Sequence, residues 1–282
     1  MKKKRVLLVS DTHNCHIDWY GVSTKERMDR LMRHIQEEYH KDPFEMILFL
    51  GDYSLDHWRW QIQGSWLKEG RSYTDEWIKA YFDQLPPVPY YMIAGNHEQY
   101  GEEKWREITG CSRSLHVVMD DYLFILLDGY GANLDPEEHS DGTYAPMDVQ
   151  KVRAIMDQYP DKKVILGSHY FHPDLESDKD GVKAILCDER VICLFAGHTH
   201  KADVWTLSEE YGSKKVIFTG NYSYCGGGKD PDPRPYMWGF RDLYLDEHSL
   251  LSRYIVQEND VVIQNEAVKI PYAYIEEVKM EY

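Results

Sequence analysis

The chain alternates short, almost unbroken apolar runs with stretches where apolar residues recur every three or four positions. The runs are RVLLVS at 5–10, FEMILFL at 44–50, VPYYMIA at 88–94, YLFILL at 122–127, KVILGS at 163–168 and VICLFA at 191–196. Each predicts a strand covered on both faces, because a strand with one wet face alternates apolar and polar positions. TKERMDRLMRHIQEEYH at 24–40 places Met28, Leu31, Met32, Ile35 and Tyr39 at helical spacing. Ser23 stands where an N-cap is needed, with Glu26 three residues on as its capping-box partner. APMDVQKVRAIMDQY at 145–159, with Val149, Val152, Ile155 and Met156, predicts a second helix. This alternation of strand and helix reads as an α/β architecture. From about residue 203 the pattern changes to DVWTLS, KKVIFTG, FRDLYLD, LLSRYIVQ and VVIQNEAVKI, short strand-like segments with little helix. No Pro/Ser-rich linker, internal repeat or low-complexity stretch sets this part aside. The chain therefore reads as one domain over residues 1–282, with candidate insertions at 53–73 and 221–238.

Composition narrows the class. An apolar fraction of 43% over 282 residues supports a folded chain with a substantial core. The net charge of −16 argues against long nucleic acid or an anionic membrane as partner, since polyanions are repelled at long range. The start, MKKKRVLLVSDTH, imitates the basic end of a signal peptide, but the run VLLV is too short for its apolar region. No stretch approaches the ~20 apolar residues of a membrane span. Five cysteines without a CxxC pair fit reduced thiols, so a cytoplasmic location is expected.

The strand ends carry candidate chemistry. The first ends in D-T-H (Asp11, His13), the second in G-D (Asp52) and the third in G-N-H-E (Asn96, His97). The fifth ends in S-H (His169) and the sixth in G-H-T-H (His198, His200). Taken singly, each also reads as a polar turn or a satisfied core histidine. Together they matter more, because open α/β sheets bind ligands outside the carboxyl ends of their strands. In an extended D-x-H or H-x-H, both outer side chains share one face. Imidazole, carboxylate and amide oxygen form a mixed N/O shell suited to Mn, Fe, Zn, Co or Ni. Four histidines, two aspartates and one asparagine are too many for one tetrahedral ion and suffice for two, if one carboxylate bridges.

In this order, D-x-H, G-D, G-N-H-E, a lone H and G-H-T-H resemble the calcineurin-like metallophosphoesterase family. The resemblance implies a four-layer αββα sandwich with two central mixed β-sheets and two divalent or mixed-valence metal ions at one sheet edge. It implies that Asp11, His13 and His200 bind the first ion, Asn96, His169 and His198 the second, and that Asp52 bridges. His97 is then a catalytic group near the scissile phosphate and not a ligand. Many members carry G-D-x-x-D, whose second acid orients that histidine. Here Asp56 comes one residue late and is left out of the set. The implied activity is hydrolysis of a small-molecule phosphodiester or phosphomonoester by a metal-bound hydroxide. The alternatives are a nuclease of the same family and a non-catalytic metal-binding scaffold on the same fold. Trp58, Trp60 and Trp66 either stack a substrate group or pack their insertion onto the body. Tyr222, Tyr224 and Gly226–Gly228 form either a mobile loop over the phosphate or a plain surface turn. Substrate, native metals and oligomeric state stay open.

Overall fold

All the apolar runs form strands, and all but the third are buried on both faces; the third, Tyr90–Met92, is a half-buried sheet edge. In β1 (Lys4–Val9), Val6 and Leu8 face one core, Leu7 and Val9 face another, and all four are fully buried. The computed structural model describes residues 3–15, 17–55, 72–135, 141–224, 232–263 and 266–282. Asp56, Trp58, Trp60, Trp66 and Gly226–Gly228 lie outside the described residues.

Two six-stranded mixed sheets result. In the first, β1 pairs in parallel with β2 (Met46–Phe49), and β2 in parallel with β3 (Tyr90–Met92). On its other side β1 runs antiparallel to β10 (Gly239–Leu245), followed by β11 (Ser249–Val256) and β14 (Ala273–Glu281). The second sheet runs from β4 (Leu115–Met119) through β5 (Tyr122–Leu127), β6 (Lys163–Ser168), β7 (Val191–Ala196) and β9 (Lys215–Thr219) to β8 (Ala202–Thr206). Its four inner strands are parallel and its two edges antiparallel. The strands after residue 203 thus complete both sheets. A hairpin of β12 (Asn259–Ile263) and β13 (Glu266–Ile270) stands apart and packs Val261 and Ile270 into the core of the first sheet's outer face.

Three apolar layers separate four structural ones. Val6, Leu8, Leu48, Phe124, Ile165 and Phe195 fill the space between the sheets. On the outer face of the first sheet lie α1 (Thr24–Lys41), α2 (Tyr73–Tyr81) and α3 (Glu102–Thr109), whose Met28, Leu31, Ile35, Trp77 and Trp105 join one core cluster. On the outer face of the second lie α4 (Val149–Gln158) and α5 (Lys179–Leu186), contributing Val152, Met156, Val182 and Ile185. The architecture is the four-layer αββα sandwich expected. Among the described residues, no helix is long and apolar enough to cross a membrane.

Ser23 caps α1 by accepting the Glu26 amide at 3.2 Å, one half of the expected capping box. The Glu26 carboxylate instead pairs with Arg30, one turn on. The buried face of α1 is not purely apolar, for it also carries Arg27, His34 and Glu38. The His34 imidazole lies 2.6 Å from the Tyr222 hydroxyl, and burial, with Arg33 and Arg30 nearby, pushes it down to about 3. The unfolded chain therefore takes up a proton below pH 6.5 that the folded chain refuses, and stability is lost as pH falls from there toward 3. At pH 5 this linkage costs about 2 kcal/mol. Urea unfolding at pH 7.5 and pH 5 will show a smaller acid loss in His34→Gln than in the unchanged protein. Equal losses would remove His34 as a cause.

Candidate metal centre

The candidate residues follow five strands that are parallel within their sheets, β1, β2, β3, β6 and β7, so the motifs meet at one edge of the sandwich. The turns there are tight. Asp11, His13, Asp52, His198 and His200 all have positive φ, between 41° and 68°, and make up five of nine such non-glycine residues among those described. Left-handed backbone at residues with a Cβ costs energy and gathers at functional sites. The motif glycines allow the loops to close up. Gly51 has φ 96°, and a Cβ there would lie 2.6 Å from His169 Nδ1. A Cβ on Gly95 would lie 2.1 Å from Asp52 Oδ1.

The side chains form two groups that share one member. Donor atoms of Asp11, His13, Asp52 and His200 lie within 4.8 Å of one another, as do those of Asp52, His169 and His198. Asp52 Oδ2 faces both groups, 3.1 Å from His169 Nε2 and 3.7 Å from His13 Nε2. Asn96 Oδ1 completes the second group, 3.0 Å from His169 Nε2 and 2.9 Å from His198 Nδ1. In the first, His13 Nε2 and His200 Nε2 are 3.0 Å apart, and Asp11 Oδ1 is 3.4 Å from His200 Nε2. His97 is close by, its Nε2 3.8 Å from Asp52 Oδ2, but belongs to neither group.

This donor set fits cations. His169 Nδ1 lies 2.7 Å from the Leu50 carbonyl, and His200 Nδ1 2.7 Å from the Tyr224 carbonyl. A carbonyl only accepts, so each Nδ1 carries the proton and each neutral ring turns a bare Nε2 lone pair inward. With the His169 ring neutral, lone pairs of His169, Asp52 and Asn96 would face one another, an arrangement that a proton on Nε2 or a metal ion relieves. The titration behaviour says the same. Burial opposes a charge on His169, yet the Asp52 carboxylate lifts it to about 9. Burial likewise opposes charge on His200, and its hydrogen bond and charge pairing with Asp11 outweigh that and raise it. Burial holds His13 well below the usual imidazole range and, with the charge of His169, takes His198 down to about 4. Burial would raise Asp52, but His169, His97 and His13 keep it ionised. Neither group includes a thiol.

Several supporting residues have no counterpart in the motif reading. Arg27, reaching down from α1, donates to the carbonyls of Thr12, His13 and Tyr222 and ties the D-T-H turn in place. Its signal was available: a charged residue beside Met28 on the apolar stripe. Tyr130, two residues past the Asp128 that follows the fourth run, is buried with its hydroxyl 3.4 Å from His198 Nε2. Glu98, the last letter of G-N-H-E, is fully buried. Tyr222 corrects an expectation. It is not part of a loop over the phosphate, being fully buried and held by His34 and Arg27, because its ring stacks on Trp238 beneath the site. Tyr224 is exposed and contributes its carbonyl to His200.

Known structures share this architecture. A dimetal phosphatase from Danio rerio aligns over 99% of both chains with a TM-score of 0.68 and 14% identity. Purple acid phosphatase PPD1 from yellow lupin aligns with a TM-score of 0.53 and 11% identity, covering 99% of this chain and 54% of that one. At these identities the likeness is one of fold. Comparison with curated protein sequences gives no significant match. The family model for calcineurin-like phosphoesterases matches residues 4–202, a span that holds every strand-end motif. This chain belongs to the calcineurin-like phosphoesterase family.

Proposed function

We propose that the chain is a dinuclear-metal phosphoesterase acting on a small phosphomonoester or phosphodiester. Asp11, His13 and His200 hold one ion, Asn96, His169 and His198 the other, and Asp52 bridges them. The observation that carries this reading is the position of Asp52 Oδ2 between two groups of inward-facing donors. Two bound divalent ions would supply an activated water at neutral pH and charge neutralisation for the phosphoryl group. The chain's own residues do the rest. Asp11 and Asp52 set the charge of the centre. The carbonyls of Leu50 and Tyr224 fix the ring orientations of His169 and His200, as outer partners of ligating histidines do. His97, beside the centre and outside both donor groups, is placed to give a proton to the leaving oxygen.

The test is hydrolysis of p-nitrophenyl phosphate and bis(p-nitrophenyl) phosphate by the purified chain with added Mn²⁺ and with chelator. Turnover with Mn²⁺ that falls at least ~100-fold with chelator is expected, and the preferred ester separates monoesterase from diesterase. Turnover of neither ester, together with no bound metal, would sink the proposal.

A further inference from the structure

Among the described residues, the hydrogen bonds of the Glu98 side chain all go to backbone amides. Its Oε2 accepts the amides of Asp52 at 2.9 Å and Gly95 at 2.8 Å. Its Oε1 accepts those of Tyr53 at 3.0 Å and Ser54 at 3.3 Å. In return, Asp52 Oδ1 accepts the amide of His97 at 3.1 Å. The turns after β2 and β3 therefore clasp each other twice, each by a carboxylate of one on amides of the other. One carboxyl group thus holds four backbone N–H groups that burial would otherwise leave without a partner. The clasp has a consequence for the centre. With Oδ1 engaged by His97, Oδ2 is the Asp52 oxygen turned toward His13 and His169.

We infer that Glu98 is a positioning residue for the centre: it fixes the Asp52 and Gly95–Asn96 backbones so that the Asp52 and Asn96 side chains sit between the two donor groups. The inference rests on the two-ion reading proposed above. Among the described residues Glu98 makes no hydrogen bond to a donor atom, and it acts through the backbone that carries them.

The test uses the full chain with Glu98→Gln and Glu98→Asp. Glutamine keeps the shape but turns an NH₂ toward two of the four amides. Aspartate keeps the carboxyl group, with both oxygens as acceptors, and loses one methylene of reach, so its effect is expected to be smaller. Two quantities are read. The first is Mn²⁺ affinity by calorimetry, expected to fall about 10–100-fold in Glu98→Gln. The second is amide hydrogen exchange in chelator, where the amides of Asp52, Tyr53, Ser54 and Gly95 are expected to exchange ~10-fold faster or more while those of β5 stay unchanged. Both changes together, with the aspartate variant between glutamine and the unchanged protein, support the inference. Unchanged exchange and unchanged affinity in both variants overturn it and leave the two-ion reading standing. A general rise in exchange that includes β5 also overturns it, by making Glu98 a support of the whole fold. An unchanged protein that binds no Mn²⁺ overturns the two-ion reading, and the role of Glu98 toward metal with it. If Glu98→Gln does not fold, Glu98→Asp decides alone on the same two readouts.

Discussion

If the chain is the two-ion phosphoesterase proposed, Asp52→Asn is expected to strip both metal ions and nearly all turnover while the chain stays folded, the largest effect expected of any single substitution. The asparagine side chain retains an oxygen for the His97 amide, so the clasp between the turns after β2 and β3 survives. What is lost is the charge on Oδ2, the carboxylate oxygen that among the described residues faces both donor groups. A ligand shared by two ions weakens both when it goes, so the affinity loss will exceed the 10–100-fold typical of an outer partner. Metal ions supply several kcal/mol to phosphoryl transfer. At about 1.4 kcal/mol per decade, the fall in kcat is on the order of 10³-fold or more. The measurements are metal content after dialysis, turnover of the preferred ester, and thermal melting in chelator. Near-normal metal content with turnover within tenfold of the unchanged protein would remove Asp52 from the bridging position. Asp11→Asn provides the contrast. Asp11 belongs to one donor group only, and the second group, with Asn96, His169 and His198, is expected to keep its ion.

The ordered motifs were legible because all but one of their strands are buried on both faces. A doubly covered strand leaves an unbroken apolar run, and a polar cluster at its end then stands out. β1, β2, β6 and β7 are of this kind, and every candidate ligand but Asn96 follows one of them; Asn96 follows β3, a sheet edge with Tyr90 and Tyr91 half-buried, whose run stands out through the buried Met92, Ile93 and Ala94. β4 and β14 were not legible. Both are sheet edges whose side chains alternate in exposure, and their mixed residues resemble surface chain. The helices α2, α3 and α5 are eight or nine residues long, too short for a clear period. The site's supports escaped for a different reason. Arg27, Tyr130 and Glu98 act through backbone or rings brought near by tertiary packing, and residue spacing does not encode that. Tyr222 shows the same limit from the other side. Its neighbours in sequence resemble a loop, while its surroundings in space are α1 and Trp238.

His97 separates chemistry from metal binding, and its replacement is the second large effect. His97→Gln is expected to lower kcat by about 10²–10⁴-fold, the range of a positioned general acid, while metal content stays as in the unchanged protein. The argument is geometric. His97 Nε2 stands 3.8 Å from Asp52 Oδ2, about as far as His13 Nε2 at 3.7 Å, but unlike His13 it is not among the donor atoms that lie within 4.8 Å of one another. It thus borders the centre without joining either donor group. The choice of leaving group then tells a proton donor from a residue that only stabilises charge on the phosphoryl group. p-Nitrophenolate departs readily without a proton, and an alkoxide does not. If His97 gives its proton to the leaving oxygen, His97→Gln costs much more on an alkyl phosphoester than on the p-nitrophenyl ester. Equal losses on the two esters assign it to charge stabilisation instead. Loss of metal from His97→Gln would overturn both roles and make His97 a ligand, because a residue outside the donor groups has no direct hold on the ions.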